Sequence, residues 1–487
     1  MARLLGLVTF VALSIGFPDL TEAQVARRRQ NPTDSLQTLS PDERAKTRAE
    51  TAHREGRHDE AIELTTDVLT RNSRDHVALY LRASARIERG LGSRDTSLIR
   101  SGIEDARLAI QHGDAKPMYY LPYLYGMTNL GIIESRDDHL QVAVETANRA
   151  ITRETDQIGR ANLLYQRGRA YSALKQYDLA SSDFAEATRL RPRFLAAYME
   201  HAKTLAGSGD AERAGNIFDD AVRRFATQPL VFNNRGLHRQ KQGQLDGAIA
   251  DFSKAVELNP NYSVAFTNRG YVYLEKGDSA SAEADFTRSL KANPGYSSVY
   301  GLRGAARLLQ GQLDAAIKDY ETRLKQDSRS AIAHADLGFA KCFAGDYASA
   351  LAAFDQAVKR DPTLDFLAPW QFLAITATND VEQARTQFVR LLEKAEPDQQ
   401  WTDSLVAFLA GNTDANALIG RAIAAGPDLT DARQCEAHYF IAQSLLEDGQ
   451  RDEALRHFQL ALDGGQRSLS AYRGAVVALR QLQTRRR

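Results

Sequence analysis

The sequence predicts an all-α chain built as a solenoid of helix hairpins, and three regularities carry that prediction. From Ala161 onward, six units of 34 residues follow one another without a gap, opening at Ala161, Leu195, Pro229, Ser263, Ser297 and Ala331. Place eight of each unit is small (Gly168, Ala202, Gly236, Gly270, Gly304, Gly338), and so is place twenty (Ala180, Ala214, Ala248, Ala282, Ala316, Ala350). Place twenty-four is aromatic throughout: Phe184, Phe218, Phe252, Phe286, Tyr320 and Phe354.

Each regularity has a physical reading. The spacing of apolar residues predicts two amphipathic helices of about twelve to fifteen residues per unit, parted by a turn at Gly243, Gly277, Gly311 and Gly345. Small residues at facing places let the two backbones approach, and the ring fills the wedge toward the next unit. Proline at place thirty-two (Pro192, Pro260, Pro294, Pro362) lacks an N–H and stops the second helix. One such hairpin cannot bury its apolar face alone, so the units must stack.

On these residues the chain resembles the tetratricopeptide repeat (TPR) family. The stretch "AFTNRGYVYLEKGDSASAEADFTRSLKANP" at 265–294 carries nearly the whole motif, with Phe266 as the large residue early in helix A. The resemblance implies a superhelical TPR array. Weaker units extend it over 42–160: residues 42–75 keep Gly56 and Ala61, 76–113 carry an insertion around "GLGSRDTSLIRS", and 114–160 are the least regular. After the six regular units of 161–364, residues 365–434 read as degenerate units, with Ala384 and Phe388 in phase and Phe372 in place of the glycine. A clear unit returns at 435–468 with Ala442, Gly449, Ala454, Phe458 and Ala461, followed by a terminal helix and basic tail at 469–487.

The N-terminus reads as an export signal. Arg3 precedes an apolar run from Leu4 to Phe17, with small residues Thr21 and Ala23 at a cleavage position, which predicts a signal peptide over 1–23 and a periplasmic or secreted protein. The run falls short of the roughly 20 apolar residues a spanning helix needs, so an uncleaved membrane anchor is the alternative reading. Residues 24–41 are polar and proline-bearing, a flexible leader. Lys plus Arg equals Asp plus Glu at 62 each, which argues against a nucleic-acid binder with a broad basic face. The basic runs Arg27–Arg29 and 485–487 read as solvated tails. Cys342 and Cys435 fall in different repeats and read as small apolar fillers without a disulfide.

An arginine stands at place seven in four units (Arg167, Arg235, Arg269, Arg303), and the same four carry aspartate at place twenty-three (Asp183, Asp251, Asp285, Asp319). The other two units have neither charge, so the pattern predicts an Arg–carboxylate pair closing each hairpin, part of the frame rather than a ligand site. Catalytic signatures are missing from the sequence: there is no phosphate loop, nucleophile elbow or supported Cys–His pairing. His53 and His58 in "HREGRHDE" are poorly spaced for a metal and read as an exposed turn. No enzyme, metal or cofactor is expected.

A second resemblance is local. "QWTDSLVAFLAGNTDANALIGRA" at 400–422, followed by "EAHYFIAQSLLEDGQRDEALRHFQLAL", is similar to the end of the NlpI-type periplasmic TPR lipoproteins of Gram-negative bacteria. That resemblance implies a homodimeric envelope adaptor that brings peptidoglycan hydrolases to a protease, although this chain lacks the lipid-anchoring cysteine. A chaperone or assembly factor for exported proteins, or a regulatory subunit of an envelope enzyme or polysaccharide-export complex, are the alternatives. TPR resemblance also implies that helix A lines a concave protein-binding groove. Its candidate residues are Asn234, Asn268, Tyr271, Leu274, Leu308, Leu309, Phe339 and Phe343. Place nine runs Arg169, Lys203, Leu237, Tyr271, Ala305, Phe339, polar early and apolar late. The family's lysine and asparagine clamp for a terminal carboxylate is absent, because place five reads Tyr165, Met199, Asn233, Thr267, Gly301 and Ala335. The later residues form either an open apolar strip for a hydrophobic segment or a surface that the units after 365 fold back to cover.

Overall fold

The computed structural model describes residues 39–378, 381–392 and 400–484. The expected signal and leader up to residue 38 and the basic tail at 485–487 lie outside these residues. The described chain is all helical. It forms successive helix hairpins, as the 34-residue period predicts, and it divides by contacts into two units, one ending at His238 and the other beginning at Arg239.

The first unit opens with α1 (Pro41–Arg54) and α2 (His58–Arg71), then α3 (His76–Ser93) and α4 (Thr96–His112). Ser40 caps α1 in a reciprocal capping box with Glu43, satisfying two otherwise orphaned N–H groups. The insertion in 76–113 does not loop out: it lengthens both helices, to 18 and 17 residues, joined through Arg94 in the left-handed region at φ 57°. Next come α5 (Tyr120–Glu134), α6 (Asp137–Arg153), α7 (Gln157–Ala173), α8 (Tyr177–Leu190), α9 (Leu195–Gly207) and α10 (Ala211–Arg224). The boundary between the two units falls within α11 (Pro229–Lys241).

The second unit continues with α12 (Leu245–Leu258), α13 (Ser263–Lys276), α14 (Ser279–Ala292), α15 (Ser297–Leu309), α16 (Leu313–Gln326), α17 (Ala331–Phe343) and α18 (Tyr347–Arg360). Shorter helices follow: α19 (Ala368–Thr376), α20 (Val381–Gln387), α21 (Val389–Leu392), α22 (Trp401–Leu409) and α23 (Ala415–Ile423). The chain then runs through α24 (Pro427–Glu447), α25 (Arg451–Asp463) and α26 (Ser470–Thr484). The last clear repeat therefore starts at Pro427, upstream of residue 435, because proline at the first helical position is pre-organised for helix and needs no N–H partner.

The 34-residue pattern becomes packing as the spacing requires. All six place-twenty alanines are fully buried, and the six place-twenty-four rings are at most 3% exposed. A Cβ on Gly270 would stand 2.8 Å from Phe286, and one on Gly338 only 2.5 Å from Phe354, so the ring occupies the space that glycine vacates. Replacing Gly338 by Ala is expected to destabilise the chain by about 1–3 kcal/mol through overpacking, read as a lower urea midpoint. The turns at Gly243, Gly277, Gly311 and Gly345 all have φ between 71° and 86°, the left-handed backbone that glycine adopts without a Cβ penalty. Lys175 takes the same place in its unit at φ 59°. Cys342 and Cys435 are free and buried in the second unit's core, and burial pushes both thiols' pKa values up.

Candidate functional site

The repeated arginines are frame. Arg167 grips Asp183 with two bonds of 2.8 and 2.6 Å, Arg269 grips Asp285 at 2.6 and 2.8 Å, and Arg303 grips Asp319 at 2.9 and 2.7 Å. The third guanidinium nitrogen reaches back to the preceding hairpin: Arg269 donates to Ser253 Oγ at 2.8 Å and Arg235 to Asp219 at 2.8 Å. Asp251 accepts from Arg239 at 2.9 Å. One side chain thus ties helix A to its own helix B and to the previous one, and aromatic rings such as Phe266 lie under the guanidinium, 5.7 Å from Arg269. The same device occurs where the sequence pattern hides it: Arg82 holds Asp105 with two 2.8 Å bonds across the lengthened hairpin. The insertion stretches the usual sixteen-residue separation to 23, so a fixed spacing misses the pair.

The helix-A elements of the first unit carry a series of polar side chains, most of them half-buried. Arg169 of α7 lies 5.1 Å from the Tyr125 ring and donates to Asn129 at 3.2 Å, both on α5. Lys203, one repeat on, is exposed and pairs with Glu200 at 3.0 Å. Glu88 on α3 is half-buried. Burial raises its pKa, and burial together with Glu88 pushes Tyr125 to about 12. Asn234 on α11 is half-buried and donates to Met199 Sδ at 3.4 Å.

In the second unit the face begins open and then closes. Tyr271 is 41% exposed, and Asn268, Leu274 and Leu309 are half-buried. Leu308, Phe339 and Phe343, by contrast, are 1%, 6% and 7% exposed and belong to the core. Leu308, Phe339 and Phe343 are therefore corrected as groove residues, and of the two readings of the strip the covered one is present. Trp370 stands 5.0 Å from the Phe339 ring and 5.9 Å from Phe343, Tyr439 lies 6.5 Å from Phe343, and α26 packs on α15 and α17. The physical reason is that three large apolar side chains at helical spacing leave a surface the chain gains by covering.

Histidines supply no metal site: no group of three or more His, Cys, Asp or Glu side chains that could hold an ion occurs among the described residues. The reading of His53 as part of an exposed turn is also corrected. It is buried at the end of α1, its Nδ1 3.3 Å from His58 Nδ1, because the tight turn at Gly56 folds α2 against it. A second such pair joins His438 to His457 at 3.0 Å. Burial lowers His53, His201 and His438 from 6.5 to about 4. A base whose folded pKa is depressed resists charging in the native state. The stability it confers is full above pH 6.5 and is lost as pH falls toward 4. Thermal melts are expected to drop through that window, and a His53→Gln/His201→Gln/His438→Gln triple variant should flatten the decline.

A shallow cavity of about 380 Å³ in the second unit is lined by Asp365, Gln400, Trp401, Thr402, Arg421 and Arg433. The Trp401 indole donates to Glu436 at 2.7 Å, and Arg433 stacks on Trp401 at 5.3 Å. Among the described residues, no helix is long and apolar enough to cross a membrane.

Comparison with known proteins bears on the repeats. Family models described as TPR repeat and tetratricopeptide repeat match residues 161–194, 228–277 and 267–335. No curated protein matches significantly. Among solved structures, YrrB, described as a TPR protein with an unusual peptide-binding site, is 20% identical with a TM-score of 0.34, covering 41% of this chain and 99% of its own. PilF of Pseudomonas aeruginosa is 17% identical (TM-score 0.37; 47% and 97% covered), and the Cut9–Hcn1 hetero-tetramer of the APC/C is 14% identical (0.38; 70% and 76%).

Proposed function

We propose that this chain, built of tetratricopeptide repeats, is an exported, non-catalytic scaffold that binds an extended polar peptide segment along the helix-A face of its first unit, in the service of cell-envelope regulation. One observation carries the reading. Glu88, Tyr125, Asn129, Arg169 and Lys203 come from successive helix-A elements and line that face with polar groups already joined to one another or to neighbours, as Arg169 is to Asn129 and Tyr125 and Lys203 is to Glu200. A peptide backbone needs such paired groups, and side-chain amides and guanidinium forks supply them without demanding one sequence. The export signal read from Arg3 to Ala23 supports the periplasmic setting, and the resemblance of 400–462 to NlpI-type proteins supports hydrolases and a protease as partners.

Affinity capture from the native envelope tests it, comparing the wild type with an Arg169→Glu/Lys203→Glu variant. The expected result is a partner lost by the variant while its helical circular dichroism and melting temperature stay unchanged. Captured hydrolases and proteases identify an adaptor, unfolded porins a chaperone, and synthesis enzymes a regulatory subunit. Equal capture by both chains would remove the first-unit face as the site.

A further inference from the structure

Helix α26 packs on α25 and α24, as each repeat helix packs on those before it, and it also lies across α15 and α17, the helix-A elements whose free face a repeat array offers to partners. It contributes one ring, Tyr472, which is partly buried against the core of the second unit. Its deepest residues are small, with Ala471, Ala475 and Val477 at most 2% exposed, and Tyr472, Leu479 and Leu482 pack partly buried around them. Gly474 sits where the approach is closest: a Cβ there would lie 2.6 Å from both Phe343 and Tyr439. Glycine in mid-helix weakens the helix itself, so the close fit is bought with lower intrinsic helicity.

The ends are pinned by polar groups. Arg467 lies against the Gly277 turn and Arg480 against the Gly311 turn, while Gln481 donates to the Phe343 carbonyl at 3.2 Å. That carbonyl is one of the last in α17, where the helix has no further N–H to offer. The seat is not fully satisfied, since the buried Nε of Arg473 has no hydrogen-bond partner. The connection to α25 runs through Gly464 and Gly465, the latter at φ 63°. This glycine hinge lets α26 swing off its seat while the hairpins beneath it stay stacked. Its floor does not depend on it, because Trp370 supports Phe339, Phe343, Tyr439 and Phe440 at ring distances of 5.0 to 5.9 Å.

We infer that α26 is a detachable internal ligand of this groove, and that its seat takes from another polypeptide an amphipathic helix with a glycine–alanine face edged by arginines. The bound helix states the ligand chemistry directly. Small residues are needed over Phe343 and Tyr439, and cationic side chains at either end reach the carbonyl-rich turns of the hairpins. The groove is closed to partners while α26 occupies it, so access is governed by competition between the two helices. This site is separate from the polar face of the first unit, and either can fail without the other.

The test uses the full chain carrying Gly474→Leu, whose side chain cannot fit between Phe343 and Tyr439, and a fluorescent peptide of residues 467–484 as probe. Binding about tenfold or more tighter to the variant than to wild type is expected, and adding Phe343→Ala should abolish it. Absence of binding to the folded variant, or equal binding to both chains, overturns the inference. Hydrogen exchange on the unaltered chain decides independently of whether the variant folds. Amides of 470–484 should exchange as a unit ahead of those in 297–309 and 331–343, and exchange of all three together would contradict a detachable helix.

Discussion

Replacing Arg269 by Ala is expected to destabilise the chain by about 3 kcal/mol, well beyond the effect of a surface ion pair. The guanidinium is 12% exposed and the Asp285 carboxylate 3%, so removing one partner strands the other away from water. Asp285 would keep only Arg288, 3.5 Å away and 62% exposed, a partner largely screened by solvent. Asp285→Ala should cost a similar amount, because Arg269 would retain only the Ser253 hydroxyl and the Phe266 ring, neither of which balances its charge. The double variant should cost clearly less than the sum, since both changes remove one shared interaction. Urea unfolding of the four chains provides the cycle, and strict additivity would sink the pairing.

Placing glutamate at both Leu308 and Phe339 should be more damaging still. Each side chain is nearly sealed from solvent, and the change removes packing and buries two carboxylates without counter-ions. A loss of about 5 kcal/mol or more is expected, seen as a fall in Tm on the order of 10 °C. An unchanged Tm would mean that α24 and α26 do not cover this face in solution and would restore the open strip.

Local rules made the repeated part of this architecture legible. The place-eight glycines and place-twenty-four rings meet as their spacing implies, and co-occurrence of Arg269 with Asp285 within one chain pointed to a contact. What stayed hidden depends on distance or on broken register. Gln481 meets Phe343 across 138 residues, and no periodicity in α17 or α26 announces that meeting. The apolar character of Leu308, Phe339 and Phe343 reads the same whether a partner or the chain's own end covers them. Arg82 and Asp105 escaped notice because extra helical turns moved them out of phase. For the start of α24 a signal did exist, in the Gly426–Pro427 step.

Site-specific photocrosslinking in the native cell tests the scaffold reading most directly. A photoreactive residue is placed singly at positions 125, 169 and 203 on the helix-A face, and at 189 and 223 on exposed helix-B surfaces of the same unit. The account expects one partner polypeptide crosslinked from all three helix-A positions and from neither helix-B position. Crosslinks concentrated at 189 and 223, with positions 125, 169 and 203 silent, would contradict it.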